Sequence, residues 1–206
     1  MKRKTILVTV LLLLVGCLSS CGDALARDPT VLTVEKVPYA RSAYAEAYQY
    51  CRALMRQSFA AQGSDEADFA GDPERARQYL DTLQEMTREQ LVMQTVVERE
   101  YKAAGLTFSH TEEELLSSAA DYFGGEEAFA AFLESYDLQE QNYLSVLTLQ
   151  MKTRELNAYY LQNGLVDINN EDAFSEQMRA WMDEATVEVV GDLEKITPET
   201  VADYLR

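Results

Sequence analysis

From residue 39 onward, apolar side chains return at every third or fourth position, the spacing that places them on one face of a helix. Residues 39–61 carry Tyr44, Tyr48, Cys51, Met55 and Phe59 on such a stripe. A polar loop follows over 62–72, and Pro73 then suits the first turn of a helix holding Tyr79, Leu83 and Met86. Thr87 with Gln90 has the spacing of a capping box and predicts a kink or restart leading into Leu91. Ser109 with Glu112 and Thr111 with Glu114 repeat that spacing. Gly105 and Gly124-Gly125 stand where helices end, because glycine takes the left-handed conformation of a helix C-terminus at little cost. Glu126 and Glu127 open the next helix, where carboxylates favour the positive end of the dipole. Residues 138–163 form a long helix with Leu144, Leu147, Met151, Ala158 and Leu161 toward a core and Gly164 as its stop. A further helix over 174–184 presents Phe174, Met178, Trp181 and Met182.

Only two segments depart from the helical period. Residues 31–37 alternate and are β-branched, reading as a single strand, and residues 186–190 read as a second. A lone short strand is unstable in water, so the two are expected to pair and close the chain on itself. The predicted fold is mainly α, with multiple helices and two short strands, as one domain over 31–190. The tail, residues 191–206, carries a short helix capped by Thr197-Pro198-Glu199, whose Val201, Tyr204 and Leu205 either dock back or stay mobile.

The first residues have a different logic. Lys2, Arg3 and Lys4 precede an apolar run from Ile6 to Val15. That run of about ten residues is shorter than the roughly twenty a membrane-spanning helix needs and has the form of a signal peptide, placed at 1–20. It ends in two overlapping lipobox candidates, Leu14-Val15-Gly16-Cys17 and Leu18-Ser19-Ser20-Cys21. Both resemble bacterial lipoprotein sites, at which the cysteine is diacylated. Cys21 is favoured because Gly22 and the polar tether over 21–30 follow it; Cys17 is the alternative. Acyl chains contribute about 0.8 kcal/mol per buried CH₂, and more than one chain is needed for stable anchoring. The expected location is the outer face of a bacterial cell membrane.

The 206-residue chain, less that leader, suffices for one domain with its own core. Its formal charge is −17, and the leader takes three basic residues with it, so the mature protein is more acidic still. Nucleic acid is excluded as a partner, since phosphate binding requires clustered Lys and Arg. Cys51 lies on an apolar stripe and reads as a packed small hydrophobe, not as half of a disulfide. Asp65, Asp68 and Asp72 lack the alternation and the glycine of a calcium loop, so no metal or other cofactor is expected.

The order of segments between Leu91 and Gln150 resembles the N-terminal chaperone region of the SurA and PrsA foldases. The resemblance is carried by Leu91-Val92 and Val96-Val97 leading to Ala103-Ala104-Gly105-Leu106-Thr107, by Ser109 and Glu112-Glu113, by Phe123-Gly124-Gly125-Glu126-Glu127-Ala128-Phe129 with Leu133, and by Tyr136-Asp137-Leu138 before Leu144 and Leu147. It implies a helical chaperone domain in which segments before and after a catalytic insert fold together. Full-length foldases of this kind carry a parvulin isomerase after the long helix; here only the short stretch over 165–173 separates Gly164 from the next helix, which leaves no room for one.

The single histidine, His110, sits beside a helix cap and reads as a solvated surface residue, so no Ser-His-Asp or Cys-His arrangement can be assembled. We therefore expect no enzyme. A chaperone of the holdase type needs exposed, adaptable apolar side chains, and the seven Met and twelve Tyr supply candidates. Those for a client-binding groove are Tyr44, Tyr48, Met55, Met86, Met93, Tyr143, Met151, Tyr159 and Trp181. The expected partners are unfolded or nascent secreted polypeptides. The alternative is a dedicated adaptor lipoprotein binding one folded partner in an envelope assembly.

Overall fold

The computed structural model describes residues 28–69 and 71–205; the predicted leader and both candidate lipidated cysteines, Cys17 and Cys21, lie outside them. The chain begins with β1 (Thr30–Val34) and β2 (Val37–Ala40), runs into α1 (Arg41–Ala61) and α2 (Pro73–Ala103), then into the shorter α3 (Glu112–Phe123) and α4 (Glu126–Ser135). It continues through α5 (Glu140–Gln162), α6 (Ala173–Glu184) and β3 (Val187–Val189). The architecture is mainly α with one small antiparallel sheet, in the order β2-β1-β3. The expected closure of the two ends is present: Leu32 lies opposite Val189, and Val34 opposite Val187.

The segment over 31–37 is not one strand but the first arm of a hairpin, and the turn explains the difference. Glu35 and Lys36 take φ of 49° and 70°. Two left-handed residues in a row make the tight turn that matches strand twist, which Asn-Gly usually announces and Glu-Lys does not. Arg99 holds the Glu35 carboxylate in place by an ion pair. Tyr39 consequently belongs to β2, and α1 starts two residues later than its apolar stripe suggests. The N-cap residue Ala40 makes no side-chain bond. The Asp28 carboxylate instead accepts from the Ser42 N–H at 3.1 Å, satisfying one of the orphan donors at the helix start.

Pro73–Ala103 is one continuous helix, so the restart expected at Thr87 does not occur. Thr87 is fully buried, and its hydroxyl donates to the Leu83 carbonyl at 2.7 Å instead of capping a new turn. Asp72 caps that helix at its start by accepting from Glu74 N and Arg75 N. Of the two boxes near residue 110, Thr111 with Glu114 is the one that forms.

Two apolar clusters organise the helices. The larger joins the sheet, α1, α2, the C-terminal half of α5, and α6, around Leu32, Tyr44, Tyr48, Leu83, Val96 and Leu156. The smaller lies among α3, α4 and the start of α5, around Ala120, Phe129, Leu133 and Leu138, with Ala53 of α1 beneath. Phe123 stacks on Phe132 with ring centroids 4.3 Å apart. The boundary expected at residue 190 is also corrected. Leu193, Ile196 and Val201 are buried in the larger cluster, so the tail is part of the domain.

Cys51 is 2% exposed, and burial pushes its thiol up to about 12, against a smaller lowering by the Thr87 hydroxyl. Because the thiolate is the reactive form, Cys51 is expected to resist alkylation in the folded protein and to react fully in denaturant. Mass spectrometry of the Cys51 peptide after brief labelling at neutral pH checks this. Rapid native labelling would mean that α1 opens readily.

Candidate functional site

Helical spacing brings three polar-edged stripes to one cleft. From α1 come Ala43, Glu46, Ala47 and Tyr50; from α2, Gln90, Leu91 and Gln94; from α5, Asn142, Ser145, Val146 and Leu149. Each set repeats at three- or four-residue intervals, so each lies along one helix face. Tyr39 of β2 closes one side, its hydroxyl 2.7 Å from Thr95 Oγ1 and 3.2 Å from the Leu91 carbonyl oxygen. The cleft lies where the two clusters meet, and Tyr50 packs against both.

Its walls are apolar and small, with Ala43 and Ala47 leaving space between α1 and its neighbours. Among its polar groups the Tyr39 and Ser145 hydroxyls are hydrogen-bonded, and the Asn142 amide is not. Asn142 is 5% exposed, and its amide nitrogen is buried without a hydrogen-bond partner. An unpaired buried amide costs about 1–3 kcal/mol, so its presence in the first turn of α5 is a strong local signal. Among the described residues, Glu46 is the only charged one lining the cleft. Burial first, and the Asp28 charge second, push its carboxyl pKa upward, and among the described residues no side-chain donor lowers it. Burial likewise raises the Tyr50 phenol to about 12, so it stays a neutral donor.

The nine Met and aromatic residues expected to line a groove do not gather into one. Tyr44 and Tyr48 are corrected outright: at 0% and 1% exposure they are core residues of α1, and a client cannot reach them. Met55, Met86, Met93 and Trp181 are half-buried against the same core. Trp181 is committed to an aromatic group, 5.3 Å from Tyr160 and 6.3 Å from Phe174 by ring centroid. Tyr143 belongs to the smaller cluster, beside Phe129 and Phe132. Met151 and Tyr159 are half-buried along α5, outside the cleft.

Glu46, Gln90, Gln94 and Asn142 are absent from the residues expected to form a site. A signal for them exists, since Asn142 falls on the face of Val146 and Leu149, and Glu46 on that of Ala43 and Tyr50. A polar residue inside an apolar stripe is more informative than one more apolar residue. His110 is likewise not simply solvated: its Nε2 lies 3.2 Å from Glu155 Oε1, tying the segment before α3 to α5. Among the described residues, no three His, Cys, Asp or Glu side chains gather as a metal site, and no helix is long and apolar enough to cross a membrane. A scan of protein-family models and searches of curated proteins and of solved structures match nothing to this chain.

Proposed function

We propose that this protein is a membrane-anchored extracytoplasmic lipoprotein that holds unfolded or nascent secreted chains, without isomerase activity. The observation that carries the reading is the cleft between α1, α2 and α5, apolar in its walls and edged by the Gln90, Gln94 and Asn142 carboxamides. Carboxamides pair with peptide N–H and C=O groups of any sequence, and short apolar walls accept many side chains. Together they suit a weak, sequence-tolerant grip on extended polypeptide. The leader with its cysteines supports the location, and the SurA- and PrsA-like order of segments supports the class. The acidic surface keeps such a protein soluble while it carries apolar cargo.

Light scattering with several unrelated denatured proteins tests this. At near-stoichiometric ratios the protein is expected to suppress aggregation of most of them. Failure with every client would remove the holdase reading and favour the dedicated adaptor.

A further inference from the structure

We propose that this cleft receives a lysine or arginine side chain from the bound segment, with Glu46 as counter-ion and the Asn142 carboxamide fixing the charged head. The inference rests on the polypeptide-holding reading and adds the residue class that anchors the client.

Three observations converge on it. Among the described residues the cleft has one charged lining residue, a carboxylate, and neither Lys nor Arg in its walls. That carboxylate is held at a loss: it is partly removed from water next to a second negative charge, Asp28, and among the described residues no cation offsets either effect. Asp28 is fixed nearby, its carboxylate accepting from the Ser42 N–H and hydroxyl. A partly buried carboxylate is ordinarily paired, and the natural completion of this one is an incoming cation.

The second observation is Asn142, buried to 5% with its amide nitrogen unpartnered. A carboxamide can present either end by a half turn, and its oxygen then accepts from an ammonium or guanidinium N–H. The third is the shape of the approach. Ala43, Ala47, Leu91 and Val146 line the same cleft as Glu46, and such an apolar wall beside a carboxylate suits the aliphatic stem of a basic residue carrying its charge at the tip. The chain's charge of −17 draws basic segments toward the protein before any contact forms.

The test uses a short, fluorescently labelled apolar peptide with one central arginine, and the same peptide with neutral citrulline there. Anisotropy with the purified protein is expected to show about tenfold tighter binding of the arginine form, the size of one partly buried charge-assisted contact. In Glu46→Gln that preference is expected to vanish, the two peptides then binding with equal affinity. Asn142→Leu is expected to weaken both peptides. Because Glu46 is ionised at a cost in the empty protein, Glu46→Gln should melt at the same temperature or higher, which separates lost binding from lost folding.

Equal affinity for the two peptides, or an arginine preference that survives in Glu46→Gln, overturns the proposal. So does binding of free arginine or spermidine as tight as the peptide's, which would mark a small-amine site. If aggregation suppression holds but the arginine preference is absent, this inference falls and the holding function stands. If both are absent, both fall.

Discussion

A chain ending at Gly191 is expected to lose most of its folding stability. The residues removed include Leu193, Ile196 and Val201, at 7%, 0% and 2% exposure, all in the larger core cluster. Burying side chains of this size contributes about 1.5–3 kcal/mol each. Three of them approach the 5–15 kcal/mol that separates a typical folded domain from its unfolded chain. The entropy regained by releasing the tail offsets part of this, but it does not refill the vacated core.

The tail's entry is specific as well. Gly191 passes so close to Val31 that a Cβ there would sit 2.9 Å from Val31 Cγ1. Its N–H donates to the Val31 carbonyl at 3.1 Å. Farther on, the Arg52 guanidinium reaches the Pro198 carbonyl at 3.3 Å, and that of Arg41 lies 5.3 Å from the Tyr204 ring centre. Thermal melts by circular dichroism check the expectation. Ile196→Ala, costing about 2–5 kcal/mol, gives a milder version should the truncated chain not accumulate. A truncated protein melting within a few degrees of the parent would show that the tail is only draped over the core.

That tail is instructive about what the sequence discloses. Val201, Tyr204 and Leu205 suggest apolar contact, but residues 191–206 have no period long enough to assign them to a core. The long helices are legible because an apolar stripe sustained over several turns at the helical period fits neither a strand nor a loop. The pairing of β1 with β3 is legible for the opposite reason, since neither strand can stand alone. The hairpin at Glu35-Lys36 is not, because its turn runs on residues that carry no left-handed preference. At Thr87, one spacing serves two structures: a hydroxyl that can cap a new helix can also bond back to the carbonyl four residues earlier. For the site, residue type misleads. Met and Tyr on helical stripes are first of all core, and Tyr44 and Tyr48 show it. The cleft is marked by Glu46 and Asn142, polar residues on stripes otherwise committed to burial.

Arg52→Ala is the second substitution expected to have a large effect, about 3 kcal/mol of stability. Arg52 and Glu66 are only 17% and 19% exposed at their side chains and meet in a fork, with Nε 3.0 Å and 3.2 Å from the two carboxylate oxygens and Nη2 at 2.9 Å. Burial alone would lower the Arg52 pKa, but the hydrogen bonds and charge of Glu66 outweigh it and hold the guanidinium above its ordinary range. Tyr79 donates its hydroxyl to the same carboxylate at 2.7 Å. Thus α1, α2, the loop between them and, through Pro198, the tail all meet at this pair. Removing the arginine strands Glu66 in a half-dry site, with Arg56 Nε no nearer than 4.0 Å. The loss therefore reflects an uncompensated charge more than a missing attraction. A double-mutant cycle separates the two: Arg52→Met with Glu66→Leu is expected to cost clearly less than the sum of the single changes, read as urea midpoints. Strict additivity would mean that the fork contributes no coupling, leaving the tail and loop held by apolar burial alone.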